Sequence, residues 1–299
     1  MMYYLAELFP GLRKVRIPLS RDQIMLLLTA VNEFFLGLDI YLAHRISGTI
    51  VPNEWIPIIF GPVAGALLLL AGLIALRRRN VAALLANLIF IASIAVGLLG
   101  AYFHLERAIL PAAPLGQRVS IPLLVWAPPI LGPLTFSLVG LIGISAAWIE
   151  KPADSGRLTL LTGRMIQLPY SKTSAFLFMT SLGTLATVIS SVLDHARTGF
   201  VNPWLWIPTI TGVFGVLVAF GLGALRSPSR AEIAVHVGAM LALILTGLIG
   251  SWLHIQENLT AGGQFVAERF IRGAPFLAPL LFANMGALGL IALLDPHEE

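Results

Sequence analysis

The feature that most constrains the fold of this chain is a pattern that occurs twice. Each copy begins with a histidine, has a Trp-Ile-Pro triplet eleven residues later and ends with a second histidine. The histidines are His44 and His104 in the first copy and His195 and His254 in the second, and the triplets begin at Trp55 and Trp206. The opening histidines and the triplets are each 151 residues apart, and the closing histidines are 150 apart. Self-similarity at a fixed period is typical of a fold built from copies of one structural unit.

The composition predicts an integral membrane protein whose immediate partner is the lipid bilayer. Hydrophobic residues make up 57% of the chain and charged residues 11%, and the mean hydropathy is +0.87. A soluble domain has about 25% charged residues. The chain has no cysteine, which excludes disulfides and thiolate metal sites. The formal charge of +4 requires no nucleic-acid partner, because membrane topology accounts for the basic residues.

Eight apolar segments are each long enough, at about 20 residues, to cross a bilayer as a helix. Gly61 and Gly65 predict a close helix contact in the second span. Serines followed three residues later by Gln or Glu form capping boxes that start the first and seventh spans, at Ser20 and Ser229. The spans lie at about 21–45, 53–77, 81–104, 123–148, 174–194, 204–225, 229–254 and 274–294.

The predicted fold is an all-α integral membrane protein of eight transmembrane helices, arranged as two parallel four-helix repeats. An Ala-Pro pair opens the last span of each half, at Ala127 and Ala274, so all four helices of one half correspond to those of the other. The predicted segments are an interfacial N-terminal stretch (1–20), the first repeat (21–149), a cytoplasmic linker (150–172) and the second repeat (173–299).

The distribution of basic residues predicts the orientation. The side that holds the N-terminal stretch and the linker has 13 Lys or Arg residues, and the other side has six. The positive-inside rule makes the first side cytoplasmic, with both termini there, in a bacterial-type inner or plasma membrane. Because each repeat has an even number of spans, the repeats are parallel, and all four paired histidines lie near the outer face.

The paired histidines are the candidate cofactor ligands. Two imidazoles that face each other between helices hold a b-type haem, and a histidine with carboxylates suits copper, iron or zinc. The carboxylates closest to the histidines in sequence are Glu106, Asp194 and Glu257. The competing interpretation is a packing role, because histidine is comfortable at a membrane interface without any ligand.

Two acids inside the first span are further candidates. Glu33 and Asp39 lie at membrane depth, where an acidic group is costly unless it is paired or hydrated. Their counterparts in the second half are Thr184 and Ser190, so the halves are predicted to differ in function. His236, which has no counterpart, is interpreted as a structural histidine.

These features favour a membrane subunit of a redox or electron-transfer assembly, with a histidine-lined haem, metal or quinone site near the outer face. A proton- or ion-coupled transporter that uses Glu33 and Asp39 is the alternative, and a non-catalytic scaffold bound to other membrane subunits is a third. The sequence has no phosphate-binding loop, dinucleotide fingerprint or hydrolase signature, and it leaves open whether the protein is an enzyme.

Overall fold

The chain is mostly helical, and six of its helices are long and apolar enough to cross a membrane. The computed structural model describes residues 4–11, 18–48, 50–109, 115–116, 119–120, 131–160, 163–196 and 199–294. Within these residues the helices are α1 Tyr4–Leu8, α2 Arg21–Ser47, α3 Trp55–Ala75, α4 Arg79–Ala108, α5 Leu131–Ala147, α6 Lys172–Ala196, α7 Trp206–Ala224, α8 Arg230–Asn258, α9 Ala267–Arg272 and α10 Leu280–Ile291. Short 3-10 turns, Pro52–Glu54 and Pro203–Leu205, lead into α3 and α7.

The six long helices are α2, α3, α4, α6, α7 and α8. The two remaining apolar helices, α5 and α10, have 17 and 12 residues. At 1.5 Å per residue they measure about 25 Å and about 18 Å, less than the roughly 30 Å of a bilayer core. The predicted start of the fourth span, 123–130, lies outside the described residues.

The predicted start of the eighth span is wrong by six residues, because α10 begins at Leu280 and not at Ala274. The intervening chain forms successive tight turns, in which Ala278 N donates to Pro275 O and Leu280 N donates to Leu277 O. Proline has no N–H to donate and its ring disfavours a preceding helical turn. Pro275 and Pro279 therefore delay the helix, and the chain before α10 is an unwound segment.

Several local predictions are confirmed. Both capping boxes form: the hydroxyl of Ser20 accepts from Gln23 N, and that of Ser229 accepts from Glu232 N. The predicted close contact at Gly61 and Gly65 is also present. A Cβ atom at Gly61 would lie 2.5 Å from a backbone oxygen of α2, so only glycine permits this approach of α3 to α2.

The helices pack in two rings with the same order of contacts. We call α2, α3, α4 and α5 the first bundle, in which α2 and α4 each pack against both α3 and α5 and lie diagonally opposite one another. We call α6, α7, α8 and α10 the second bundle, in which α6 and α8 each pack against both α7 and α10. Residues of α2 and α4 that point inward therefore meet at the centre of the first bundle.

A helix contact of the first bundle recurs in the second. A Cβ atom at Gly100 would lie 2.7 Å from Cβ of Pro133, and one at Gly250 would lie 2.9 Å from Cβ of Pro279. The glycines are 150 residues apart and the prolines 146 apart. The matched Ala-Pro pairs are 147 residues apart, one more than the two prolines of these contacts. The contacts therefore shift the alignment of the last span by one residue. The earlier member of that Ala-Pro match lies outside the described residues.

The linker contains a small antiparallel sheet that the sequence analysis did not predict. Its strands, β1 Ile149–Glu150, β2 Arg157–Thr159 and β3 Met165–Gln167, pair in the order β1-β2-β3. The carboxylate of Glu150 accepts hydrogen bonds from the backbone N–H groups of Asp154, Gly156 and Lys172. Glu150 therefore ties both ends of the linker to the first turn of α6.

A reciprocal contact joins the two bundles at the ends that the basic residues predict to be the inner ends. Arg21 and Lys172 are 151 residues apart, as are Asp22 and Thr173, so the four residues form two equivalent pairs. Arg21 Nη1 donates to Thr173 Oγ1 at 2.5 Å, and Lys172 Nζ donates to Asp22 Oδ2 at 2.5 Å. Arg21 thus bonds the residue that follows Lys172, and Lys172 bonds the residue that follows Arg21. This reciprocity is the pattern of a two-fold interface. We call these four residues the inner clamp.

Breaking the inner clamp should destabilise the protein. Lys172 is 1% exposed and also donates to Trp148 O, so Lys172→Met leaves a carboxylate and a carbonyl without this donor. Because Asp22 is 29% exposed, water replaces part of the lost interaction, and we expect a loss of about 2 kcal/mol. Thermal unfolding of the purified protein in detergent measures the change. Lys151→Met, which alters an exposed lysine of the linker, is the control. Equal stability of the two variants would contradict a stabilising role for the clamp.

Candidate functional site at the outer end of the first bundle

His44 lies in the last turn of α2 and is 7% exposed. Its Nδ1 atom is 2.8 Å from the backbone oxygen of Ile40, one turn earlier. A carbonyl only accepts, so Nδ1 carries the hydrogen and donates it. This assignment leaves Nε2 as the acceptor of the neutral ring. Nε2 lies 3.7 Å from Oε1 of Glu54.

His104 and Glu54 complete this group. The imidazole of His104, in α4, has its ring centroid 6.2 Å from that of His44, with an angle of 54° between the planes. Glu54 ends the 3-10 turn before α3, and its Oε2 accepts from Val51 N at 2.9 Å, which fixes the carboxylate. We call His44, Glu54 and His104 the first histidine site. Residues from three elements therefore converge at the end of the first bundle that the basic residues predict to be the outer end.

The two histidines of this site were predicted from the sequence, but Glu54 was not. The carboxylate predicted beside His104 was Glu106, which is exposed and lies about 200° around α4 from that histidine. One feature of the sequence could have indicated Glu54, because this residue directly precedes the repeated Trp-Ile-Pro triplet. Its counterpart in the second copy is Leu205, so the carboxylate belongs to the first half alone.

The histidines of the second half have different partners. His195 is half-buried, and its ring packs edge-on against Phe200, which in turn stacks on Trp206 at 4.5 Å. Its Nδ1 atom is 3.4 Å from Oγ of Ser191. His195 and His254 are close enough to interact electrostatically. The carboxylates predicted beside them, Asp194 and Glu257, are both exposed.

His254 holds the unwound segment that precedes α10. Its Nδ1 donates to Pro275 O at 3.0 Å, and Ser251 Oγ donates to Phe276 O at 2.7 Å. Asn258 Nδ2 donates to Ala274 O at 2.8 Å, and Asn258 Oδ1 accepts from Ala274 N at 2.8 Å. Backbone polar groups at membrane depth need such partners, because lipid offers none. This contact gives His254 a specific packing role, the interpretation that competes with ligation.

The described residues contain no group of three or more His, Asp or Glu side chains placed to hold a metal ion. Structural and catalytic zinc sites take three or four protein ligands. The described part of the first histidine site therefore does not fit a metal held by side chains alone, and we derive no chemistry through one. Ligation of haem or a metal by the paired histidines stays a prediction.

A second polar group lies deeper in the first bundle. Glu33 is fully buried, and its Oε1 lies 2.5 Å from Oγ of Ser93 in α4. The same Ser93 hydroxyl is 2.8 Å from the backbone oxygen of Phe136 in α5. Asp39 is half-buried and lies about 240° around α2 from Glu33, so the two acids point in different directions.

The two polar groups share one seam of the bundle. His44 follows Glu33 by eleven residues, and His104 follows Ser93 by eleven residues. Eleven residues turn a helix by about three full turns and advance it by about 16 Å, so each pair lies on one helix face. An apolar cluster whose members come from all four helices packs in this part of the bundle: Leu36, Ile40, Ile58, Phe60, Val96, Phe136 and Val139.

The corresponding level of the second bundle has a threonine and a leucine where the first has Glu33 and Ser93. Thr184, the counterpart of Glu33, bonds within its own helix to Thr180 O at 2.7 Å. Leu243, the counterpart of Ser93, is fully buried. His236 lies elsewhere in that bundle, fully buried, with Nε2 3.1 Å from Gly289 O, as expected of a structural histidine that joins α8 to α10.

No family model matches this chain, and neither the curated proteins nor the solved structures contain a match to it.

Loss of Asn258 should destabilise the outer end of the second bundle. Asn258→Leu removes both bonds to Ala274 and leaves the N–H and C=O of this half-buried residue without these partners. The cost of each such group approaches about 1 kcal/mol, the lower end for buried groups. Hydrogen exchange should therefore speed up in residues 273–280 more than elsewhere. Asn53→Leu, the same change at an exposed asparagine of the first half, is the control. Unchanged exchange in residues 273–280 would contradict the role of Asn258.

Proposed function

We propose that the protein has eight transmembrane spans arranged as two parallel four-helix repeats, with both termini on the cytoplasmic side. The shared order of helix contacts, the repeated glycine–proline contact and the two-fold inner clamp support the duplication. In this arrangement α5 and α10 cross the bilayer together with the segments that precede them. The linker sheet and the inner clamp then lie on the cytoplasmic side, and the first histidine site lies near the outer face.

We further propose that the protein is the membrane subunit of a redox or electron-transfer assembly, and that the first histidine site binds a quinone-class ligand. The observation that carries this proposal is the convergence of His44, Glu54 and His104 at the outer end of one bundle. Quinones are lipid-soluble and reach such a site from the bilayer. Their ring oxygens exchange hydrogen bonds and protons with imidazoles, which suits a site built from two histidines.

The geometry gives His44 the role of proton acceptor. Its Nδ1–H is fixed on Ile40 O, so its Nε2 is the basic atom and receives the proton of a quinol hydroxyl. The resulting imidazolium lies beside the carboxylate of Glu54, 3.7 Å away, which stabilises its charge. Oxidation of one quinol to quinone releases two protons and two electrons. The protons leave to the outer side, and the electrons pass to a redox centre in a partner subunit.

A proton-coupled transporter is the second candidate function, and Glu33 is the observation that favours it. A fully buried acid in the middle of a span is typical of coupling sites in transporters. This candidate requires uptake of a substrate that stops in Glu33→Gln or Asp39→Asn. The scaffold interpretation instead requires that neither the acids nor the histidines affect any activity.

Binding of a quinol analogue to the purified protein tests the leading proposal. His44→Gln removes the basic Nε2 atom, and we expect binding to weaken at least about tenfold, the equivalent of one hydrogen bond to a charged or buried group. His195→Gln, at the matched position of the second half, should bind within about twofold of the unchanged protein. Equal loss in both variants, or no binding by the unchanged protein, would contradict a quinone site at His44.

A further inference from the structure

The hydrogen bonds around Ser93 indicate the state of Glu33. A serine hydroxyl has one hydrogen, yet Oγ of Ser93 lies within hydrogen-bond distance of two oxygens, Glu33 Oε1 and Phe136 O. The carbonyl can only accept. The two contacts are both full two-centre hydrogen bonds when the Glu33 carboxyl carries a hydrogen and donates it to Ser93, whose own hydrogen goes to Phe136 O.

The surroundings of Glu33 also favour the neutral acid. At its level, α3 presents Gly61, α4 presents Ser93 and α5 presents Phe136, and none of these described residues is charged. In the described chain, α6, α9 and α10 also contact α2. Lys172 of α6 bonds Asp22, about 16 Å along α2 from Glu33. No residue of α10 is charged, and the charged residues of α9 are exposed: Glu268, Arg269 and Arg272. A buried carboxylate with one donor and no cation nearby is strongly disfavoured.

One oxygen of Glu33 remains available for proton exchange. Within the part of the chain that the structure describes, the buried Oε2 atom has no hydrogen-bond partner. A proton on Oε1 is held by Ser93, whereas Oε2 is the atom that an entering water can reach. After the proton leaves, the Ser93 hydroxyl can rotate from Phe136 O to the carboxylate and stabilise the charge.

We propose that Glu33 and Ser93 form a proton-binding site at the middle of the first bundle, which exchanges one proton with water that enters the bundle. This site does not rest on the proposed quinone site. The first histidine site lies about 16 Å above it on the same seam, with Leu36 and Ile40 of α2 between them. Proton exchange therefore requires water to enter the bundle, and the site holds its proton while the bundle stays closed to water.

Infrared spectroscopy of the purified protein in lipid tests the site directly. The C=O stretch of a protonated carboxyl group should be present at neutral pH, disappear in Glu33→Gln and shift in Ser93→Ala. Asp39→Asn is the control for the other acid of α2 and should leave this band in place. A spectrum without a Glu33 carboxyl band at neutral pH, with the folded state shown by thermal unfolding, would overturn the proton site.

Binding measurements separate this proposal from the quinone site. Glu33→Gln keeps an amide that donates to Ser93, so it should bind the quinol analogue within about twofold of the unchanged protein. Binding by Glu33→Gln as weak as that of His44→Gln would contradict a proton site separate from the quinone site. Loss of analogue binding in His44→Gln alone concerns the quinone site and leaves the infrared result for Glu33 standing.

Discussion

Lipid offers no hydrogen bonds, and the rest of this structure depends on that constraint. A polar group in such surroundings is costly unless it finds a partner inside the protein. The unwound segment before α10 has such partners in Ser251, His254 and Asn258, which bond its backbone. Glu33 has one in Ser93. Buried polar side chains mark the break before α10, the inner clamp and the two polar groups of the first bundle.

The same constraint explains how the two halves have diverged. Both bundles have the same order of helix contacts and similar glycine–proline packing, so the framework is shared. The first bundle has an acid at its centre and a carboxylate beside its outer histidines, where the second has Thr184 and Leu205. In the second half, Nδ1 of His254 donates to the backbone oxygen of Pro275. The first bundle therefore has the polar groups of a candidate site, and the second has those of a support.

Part of this picture could be predicted from the sequence because it depends on local patterns. Hydropathy and length located the long spans, and the serine at each capping box located two helix starts. The spacing of Gly61 and Gly65 indicated the close contact of α2 with α3. The repeat identified His44 and His104 as a pair, and the structure places their rings in contact.

The remainder depends on contacts between residues distant in sequence. Ser93 is an ordinary residue of an apolar helix until Glu33 lies beside it. Arg21 and Lys172 were counted among the basic residues that predict the orientation, yet both are buried in the inner clamp. The delayed start of α10 was missed because prolines are tolerated near helix starts, and only the partners on α8 show that the chain is unwound.

The central claim is that the outer end of the first bundle binds a quinone-class ligand. Photolabelling of the protein in lipid with a photoreactive quinone, followed by peptide mapping, tests it most directly. We expect label in residues 40–60 and 100–109, which carry the first histidine site, and competition by excess quinol analogue. Label confined to the second bundle, or label that excess analogue does not displace, would contradict the claim.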